Sequence, residues 1–280
     1  MKSQKSGLRL GTGGVPLSCK KRDPASGVAR VAELGLAAME LEFVYGVRIH
    51  KDMIEKVRLA AEQHRISLTC HGPYYVNLNS QEDKTVQASV QRILETARVA
   101  HLVGAHSITF HAAFYLKEDP IKVHGVVRDA LRRIVETLRA EGNQVQIRPE
   151  LTGKPSQYGD LEELLRLSTE IEGVLPCIDF SHLHARTGGA ENSAREFHKT
   201  LQRVAEVLGK KALQDLHLHV SGIEYTPKGE RRHLMLEQSD LKYLELLQVL
   251  KDLDAGGVLI SESPDPEQDA LLMQSAYRKL

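Results

Sequence analysis

Tryptophan is absent from this chain, aromatic residues make up only 5% of its 280 positions, and cysteine occurs three times. Cys19, Cys70 and Cys177 are too few and too scattered for a disulfide framework, so buried thiols in a reducing cytoplasm are the simplest expectation. An excess of charge of either sign is missing too, since 37 lysines and arginines balance 37 aspartates and glutamates. That excludes a global basic field coating nucleic acid non-specifically, though not a local basic groove. No apolar run approaches the roughly 18 residues of a membrane span. The basic N-terminal stretch lacks the apolar core and cleavage site of a secretory signal. A cytoplasmic protein with no membrane contact is expected.

What is present is an alternation of short β-rich runs with amphipathic helical stretches. Strand candidates are Leu8–Gly14, Ala38–Val44, Ile66–Gly72, Ser107–Ala112, Val145–Leu151, Pro176–Ser181, Leu216–Ser221 and Val258–Ser263. Several are near-continuous apolar runs, as suits strands buried on both faces of a parallel sheet. Between them, "HKDMIEKVRLAAEQH", "DKTVQASVQRILETARVAHLVG" and "VVRDALRRIVETLRAEG" carry helical periodicity, the last two ending in glycine. Asp160 with Glu163 has the spacing of a capping box, Ser239 is read as the cap of a later helix, and a final helix runs from about Pro266 to Lys279. Eight strands, each followed by a helix, is the arithmetic of a (β/α)8 TIM barrel; a doubly wound sheet would more usually have fewer strands. No linker or low-complexity tract cuts the chain, so residues 1–280 read as one TIM-barrel domain.

Against the aromatic scarcity, "LTCHGPYYVNLNS" at 68–80 stands out: His71, Tyr74, Tyr75 and Asn77 gather just where a strand ends. In a barrel, chemistry collects at the C-terminal strand ends. Reading only those ends gives Glu40 and Glu42, His71, His111, Glu150, Asp179 and His182, His217 and His219, and Glu262. Singly, each has an ordinary explanation: a hydrogen-bonded structural histidine, or a glutamate paired with Arg148 or Arg186. Together, that many carboxylates and imidazoles at one rim would be costly to bury without cations. Imidazole plus carboxylate without thiolate suits zinc, manganese or iron, and so many ligands suit two or three ions of the kind used in phosphoester cleavage. His50, His64, His101, His124 and His198 fall in helical patterns and read as solvated surface; His184 has no assignment. "GTGG" at 11–14 lacks a Walker lysine and the dinucleotide fingerprint.

The set resembles the endonuclease IV (type 2 abasic-site endonuclease) family within the xylose-isomerase-like TIM barrels. "HGPYYVNL" is similar to that family's His-x-x-Tyr-x-x-Asn-Leu segment, "HAAFY" to its second histidine, Asp179-x-x-His182 to its Asp-x-x-His, and Glu262 to its Glu-x-Pro glutamate. The resemblance implies that His71, His111 and Glu150 hold one zinc, and that Glu150, Asp179, His217 and Glu262 hold a second. It implies a third on His182 with an Asp-x-His pair; here the loop "KGERRHLMLEQ" offers Glu230 and His233, one residue further apart. Glu150 and Glu262 are then the catalytic carboxylates, and Tyr74 and Asn77 shape the entrance. Arg231 and Arg232 read substrate phosphate if they do not frame the third metal. The implied activity is cleavage of DNA 5′ to an abasic site by a metal-bound hydroxide, with zinc (or manganese) as cofactor, in a monomer whose partner is damaged DNA. Rim cations such as Lys154, Arg186 and Lys228 would supply local DNA affinity.

The same Glu150, Asp179, His217, Glu262 quartet resembles that of sugar isomerases and epimerases of the superfamily. This second reading uses one divalent ion and makes His71, His219 and His233 contacts to a small sugar. His71 and His111 are what favour the nuclease. A third reading, a non-catalytic module binding damaged DNA or a phosphorylated ligand, is opposed by the intact quartet.

Overall fold

Residues 7–280 are described in the computed structural model. The strands are β1 (Leu8–Gly13), β2 (Ala38–Glu42), β3 (Ser67–His71), β4 (Ser107–Phe110), β5 (Ala113–Phe114), β6 (Gln146–Pro149), β7 (Gln157–Tyr158), β8 (Cys177–Asp179), β9 (Leu216–Val220), β10 (Gly222–Thr226), β11 (Gly229–Leu234) and β12 (Gly257–Ser261). Eight of them form one parallel sheet in the order β6-β4-β3-β2-β1-β12-β9-β8. Its two ends meet through parallel bridges, Ile147 to Val174 and Glu150 to Cys177, with the Leu151 N–H donating to the Cys177 carbonyl at 2.9 Å. The result is the expected (β/α)8 barrel. Each barrel strand lies inside its sequence-predicted run, except that β12 begins one residue early, at Gly257.

The helices are α1 (Pro24–Glu33), α2 (Lys51–His64), α3 (Asp83–Val103), α4 (Pro120–Ala140), α5 (Leu161–Glu170), α6 (Phe180–Arg186), α7 (Ala194–Leu208), α8 (Tyr243–Asp252) and α9 (Pro266–Lys279). Their starts are written in the sequence. Asp23, Asp119, Asp160 and Asp265 each accept a first-turn N–H, and α1, α4 and α9 carry proline in the first turn, where no N–H is needed. Asp160 and Glu163 form the anticipated capping box. Ser239 does not cap α8, which begins at Tyr243; its hydroxyl accepts from Ile223 N instead. Gly104 ends α3 in the left-handed conformation.

Side chains alternate across each strand. On β9, Leu216, Leu218 and Val220 join the main core between barrel and helices. His217 and His219 therefore face the barrel interior, with His219 level with Asp179 and His217 level with Cys177. No helix among the described residues is long and apolar enough to cross a membrane. The three cysteines are free and buried.

Candidate metal centre

The C-terminal mouth gathers its side chains around Glu150, which is 1% exposed. Its Oε2 lies 3.1 Å from His71 Nε2 and 3.1 Å from His111 Nε2, while its Oε1 lies 3.1 Å from His182 Nδ1 and 3.3 Å from His219 Nδ1. Each of these side chains stands at or near a strand end: His71 on β3, His111 after β4, Glu150 after β6, Asp179 on β8, His219 on β9 and Glu262 after β12; all but His71 belong to a group that could hold a metal ion. His182 arrives by a local device. Asp179 caps α6, its Oδ1 accepting the His182 N–H at 2.7 Å, which pins the two side chains together.

Five overlapping groups of candidate ligands occur among the described residues; two of them, Cys177-His217-His219 and Glu40-Glu42-Glu262, join the rest through His219 and Glu262, and the other three are linked at the mouth. His111, Glu150 and His182 form one; Glu150, Asp179, His219 and Glu262 a second; His182, Glu230 and His233 a third, each with its donor atoms within 4.8 Å of one another. Glu150 is shared by the first two and His182 by the first and third. His182 of the third set comes from α6, and Glu230 and His233 come from β11 of a β10–β11 hairpin rather than from a loop. Gly229, at its turn with φ +93°, packs so close to loop 151–156 that a Cβ would sit 2.3 Å from the Gly153 carbonyl oxygen.

The rings are oriented as ligands require. The His71 Nδ1–H donates to the Gly72 carbonyl (2.7 Å), His182 Nδ1–H to Leu151 (3.0 Å) and His233 Nδ1–H to Glu262 (3.0 Å). Each thereby leaves its Nε2 lone pair facing the cluster. His219 is held from the other side, its Nε2 lying 2.9 Å from the buried Glu40 carboxylate, so Nδ1 faces Glu150 and Glu262. Lone pairs aimed at carboxylate oxygens repel unless a proton or a cation lies between. Asp179 Oδ2 is in addition buried with no hydrogen-bond partner. This donor set fits divalent cations such as zinc.

Without a cation, protons do the holding. Burial disfavours charge on His71, yet its hydrogen bond to Glu150 and the nearby Glu42 raise its pKa to about 10. Burial likewise opposes charge on His182, but Asp179 and Glu150 lift it well above the usual range. Burial also works against the Glu150 carboxylate, and the His111, His182 and His219 imidazoles overcome it and hold that pKa well below normal. Glu42, pushed up to about 8 by burial and by Glu40 and Glu262, is the mouth's least compensated carboxylate.

Several sequence expectations are corrected. His219, not His217, is the β9 histidine that meets Glu150, Asp179 and Glu262; His217 lies one layer deeper, its Nε2 2.9 Å from Glu40. His219, expected as a substrate contact, thus stands among the candidate ligands. Arg231 and Arg232 are exposed and both pair with Glu224, away from the cluster. Asn77 shapes its own loop, its Oδ1 accepting from Asn79 N and Phe114 N at 3.1 and 3.3 Å. Arg148 and Arg186 meet neither Glu150 nor Glu262: Arg148 pairs with Asp215, and Arg186 binds loop carbonyls at Lys154 and Gln157. His124 is not solvated; it is buried between the Tyr158 hydroxyl and Glu170. His184, unassigned from sequence, is buried against Asp240. Tyr74 stands edge-on to His71 at 5.7 Å and lines a cavity of about 280 Å³ above the ligands, together with Lys154 and Gln157. Gln157 escaped the sequence reading, since a neutral amide carries no signal of its own.

A family model described as xylose isomerase-like TIM barrel matches residues 28–280. An uncharacterized protein of Methanocaldococcus jannaschii, MJ0133, is 43% identical over 273 residues, covering 98% of each chain. Among solved structures, a D-tagatose 3-epimerase-like protein superposes with a TM-score of 0.73 at 17% identity, over 97% of this chain and 96% of that one. Endonuclease IV from Thermus thermophilus superposes with a TM-score of 0.72 at 19% identity, over 97% and 98%. At such identities these two structures share the fold. With the family model running from within α1 to the last residue, the chain belongs to the xylose isomerase-like TIM barrel family.

Proposed function

We propose that this chain is a metal-dependent phosphodiesterase of the endonuclease IV type that cleaves DNA on the 5′ side of abasic sites. One observation carries the reading: Glu150, a carboxylate whose two oxygens can bridge, is shared between two ligand sets, and a third set, His182 with Glu230 and His233, adjoins them. A sugar isomerase needs one ion on the Glu150, Asp179, His219, Glu262 set and would use His71 and His233 as sugar contacts, which leaves His111, His182 and Glu230 without a role. Closely spaced divalent ions supply charge neutralisation at phosphoryl oxygens and acidify water, the chemistry that phosphodiester hydrolysis requires.

The chain's own residues do the rest. Glu40 holds the Nε2 of His219, and backbone carbonyls hold His71, His182 and His233, so no ring must reorient as substrate arrives. Glu150 and Glu262 keep their negative charge at neutral pH, burial being overcome by the imidazoles around them. The Tyr74 ring walls the entrance beside His71.

The test is a nicking assay with zinc-loaded protein and a labelled duplex bearing one abasic site. Chelator-sensitive cleavage 5′ to the lesion, with an undamaged duplex left whole, is the expected result; an uncut lesion duplex at full metal occupancy rejects the reading. A second reading, a divalent-metal sugar isomerase or epimerase, is favoured by the completeness of the four-residue set and by the likeness to the D-tagatose 3-epimerase-like structure. One ion per chain, with turnover of a free ketose, would establish it instead.

A further inference from the structure

One wall of the cavity is left unexplained by the ligands. It is built by the segment 152–158, which is held stiffly. β7 pairs with β5, and the Arg186 guanidinium donates to Thr152 Oγ1, Lys154 O and Gln157 O at 2.9, 2.6 and 3.0 Å. The Gln157 N–H closes a turn onto the Lys154 carbonyl at 3.0 Å. Along β7, Tyr158 and Gln157 face opposite ways. Tyr158 is wholly buried, its hydroxyl bonded to His124, and Gln157 lines the cavity.

Gln157 is 6% exposed, and its Oε1 is buried without a hydrogen-bond partner. That oxygen is sealed from the cavity, so the end of the side chain turned to the cavity is the amide Nε2, which makes no hydrogen bond among the described residues. Lys154 lines the same cavity, and its ammonium has no ion pair or hydrogen bond among the described residues, although Glu150, Glu230 and Glu262 line that cavity too. The wall therefore offers one cation and one amide donor, neither with a protein partner among the described residues, on one stiffly held segment.

We infer that Lys154 and Gln157 form the recognition wall for a sugar phosphate. Lys154 takes a non-bridging phosphate oxygen, and the Gln157 Nε2 amide donates to a hydroxyl oxygen of the attached sugar. This rests on the phosphoester reading of the site and assigns to it the two side chains that read the substrate rather than cleave it.

The experiment measures binding of 2-deoxyribose 5-phosphate, 2-deoxyribose and inorganic phosphate by calorimetry to zinc-loaded wild type, Lys154→Met and Gln157→Met. Lys154→Met should weaken sugar phosphate and inorganic phosphate by about tenfold or more, and leave deoxyribose unchanged. Gln157→Met should weaken sugar phosphate and deoxyribose and leave inorganic phosphate unchanged. Zinc content and melting temperature should match wild type in both variants. Wild type that fails to bind the sugar phosphate, variants that bind it equally well, or a variant that loses zinc along with affinity would each overturn the assignment. The abasic nicking assay separates the two ideas. Binding through both side chains without nicking keeps the wall and discards the nuclease, and nicking with unaltered sugar-phosphate binding in the variants does the reverse.

Discussion

At the mouth of the barrel His71 holds its proton up to about 10, whereas His106, at the opposite end where β4 begins, gives its proton up near 4. Both rings are largely buried, and burial alone would strip the charge from each. The partners make the difference. His71 faces Glu150 and Glu42; His106 faces His217 and Arg148, with Asp215 only partly offsetting them. Arg148 is itself matched by Asp215 at 2.7 Å, so that end is neutralised from within the chain. The mouth lacks such a pair. Its carboxylates outnumber the cations the chain provides there, and its imidazoles must either take protons or hand their lone pairs to metal. That asymmetry is the physical reason for expecting ions at one end and none at the other.

The hardest blow to the comparison is Glu150→Gln. It removes the carboxylate shared by two ligand sets, so abasic-site nicking should fall at least about a thousandfold. Elemental analysis should show at least one ion lost per chain. Asp215→Asn, at the far end, should lower stability by loosening Arg148 while leaving the metal count intact; loss of metal there would contradict the division between the ends.

Zinc affinity offers a second, graded test. Below about 10, His71 is protonated in the metal-free protein, and zinc must displace that proton to reach Nε2. Affinity should thus rise by about tenfold per pH unit for each proton displaced, measured by chelator competition between pH 6 and 8. The metal-free protein should show the opposite trend from this residue: a raised histidine pKa stabilises the fold fully below its unfolded value, and that contribution fades as pH climbs towards 10. A pH-independent zinc affinity would mean that His71 is not a ligand. Next in size is His233→Ala, which strips only the hairpin set. Nicking should drop by roughly ten- to a hundredfold, with the Glu150, Asp179, His219, Glu262 set still loaded.

Much of this mouth was legible in the sequence because buried parallel strands are apolar runs, and a polar residue closing such a run announces itself. His71, His111, Glu150, Asp179 and Glu262 all do so, and the Asp179-x-x-His182 spacing is an N-cap with its third residue. Depth along a strand is another matter. His217 and His219 share a face, and only the register of β9 against β8 says which one reaches the mouth. The hairpin was hidden for a different reason: "TPKG" marks a turn locally, but the Gly229–Gly153 approach that swings Glu230 and His233 over His182 is a contact between distant segments. Gln157, Asn77 and His124 take their meaning from partners that no local pattern encodes.

The smallest effect belongs to the quiet end. Because folding lowers the pKa of His106 from its unfolded value near 6.5 to about 4, the unfolded chain takes up a proton that the fold refuses over that window. Stability is unaffected above 6.5 and is lost as pH falls from there towards 4. At pH 5 the penalty from this ring amounts to roughly 1–2 kcal/mol. His106→Gln keeps a polar side chain without a titrating group, so urea unfolding of the zinc-free protein should show a shallower acid loss in the variant than in wild type. Because the cluster carboxylates and imidazoles titrate in both proteins, the difference between the two curves isolates the one ring. Parallel curves would mean that His106 takes its proton as readily in the fold as out of it, and the contrast between the two ends of the barrel would then rest on the mouth alone.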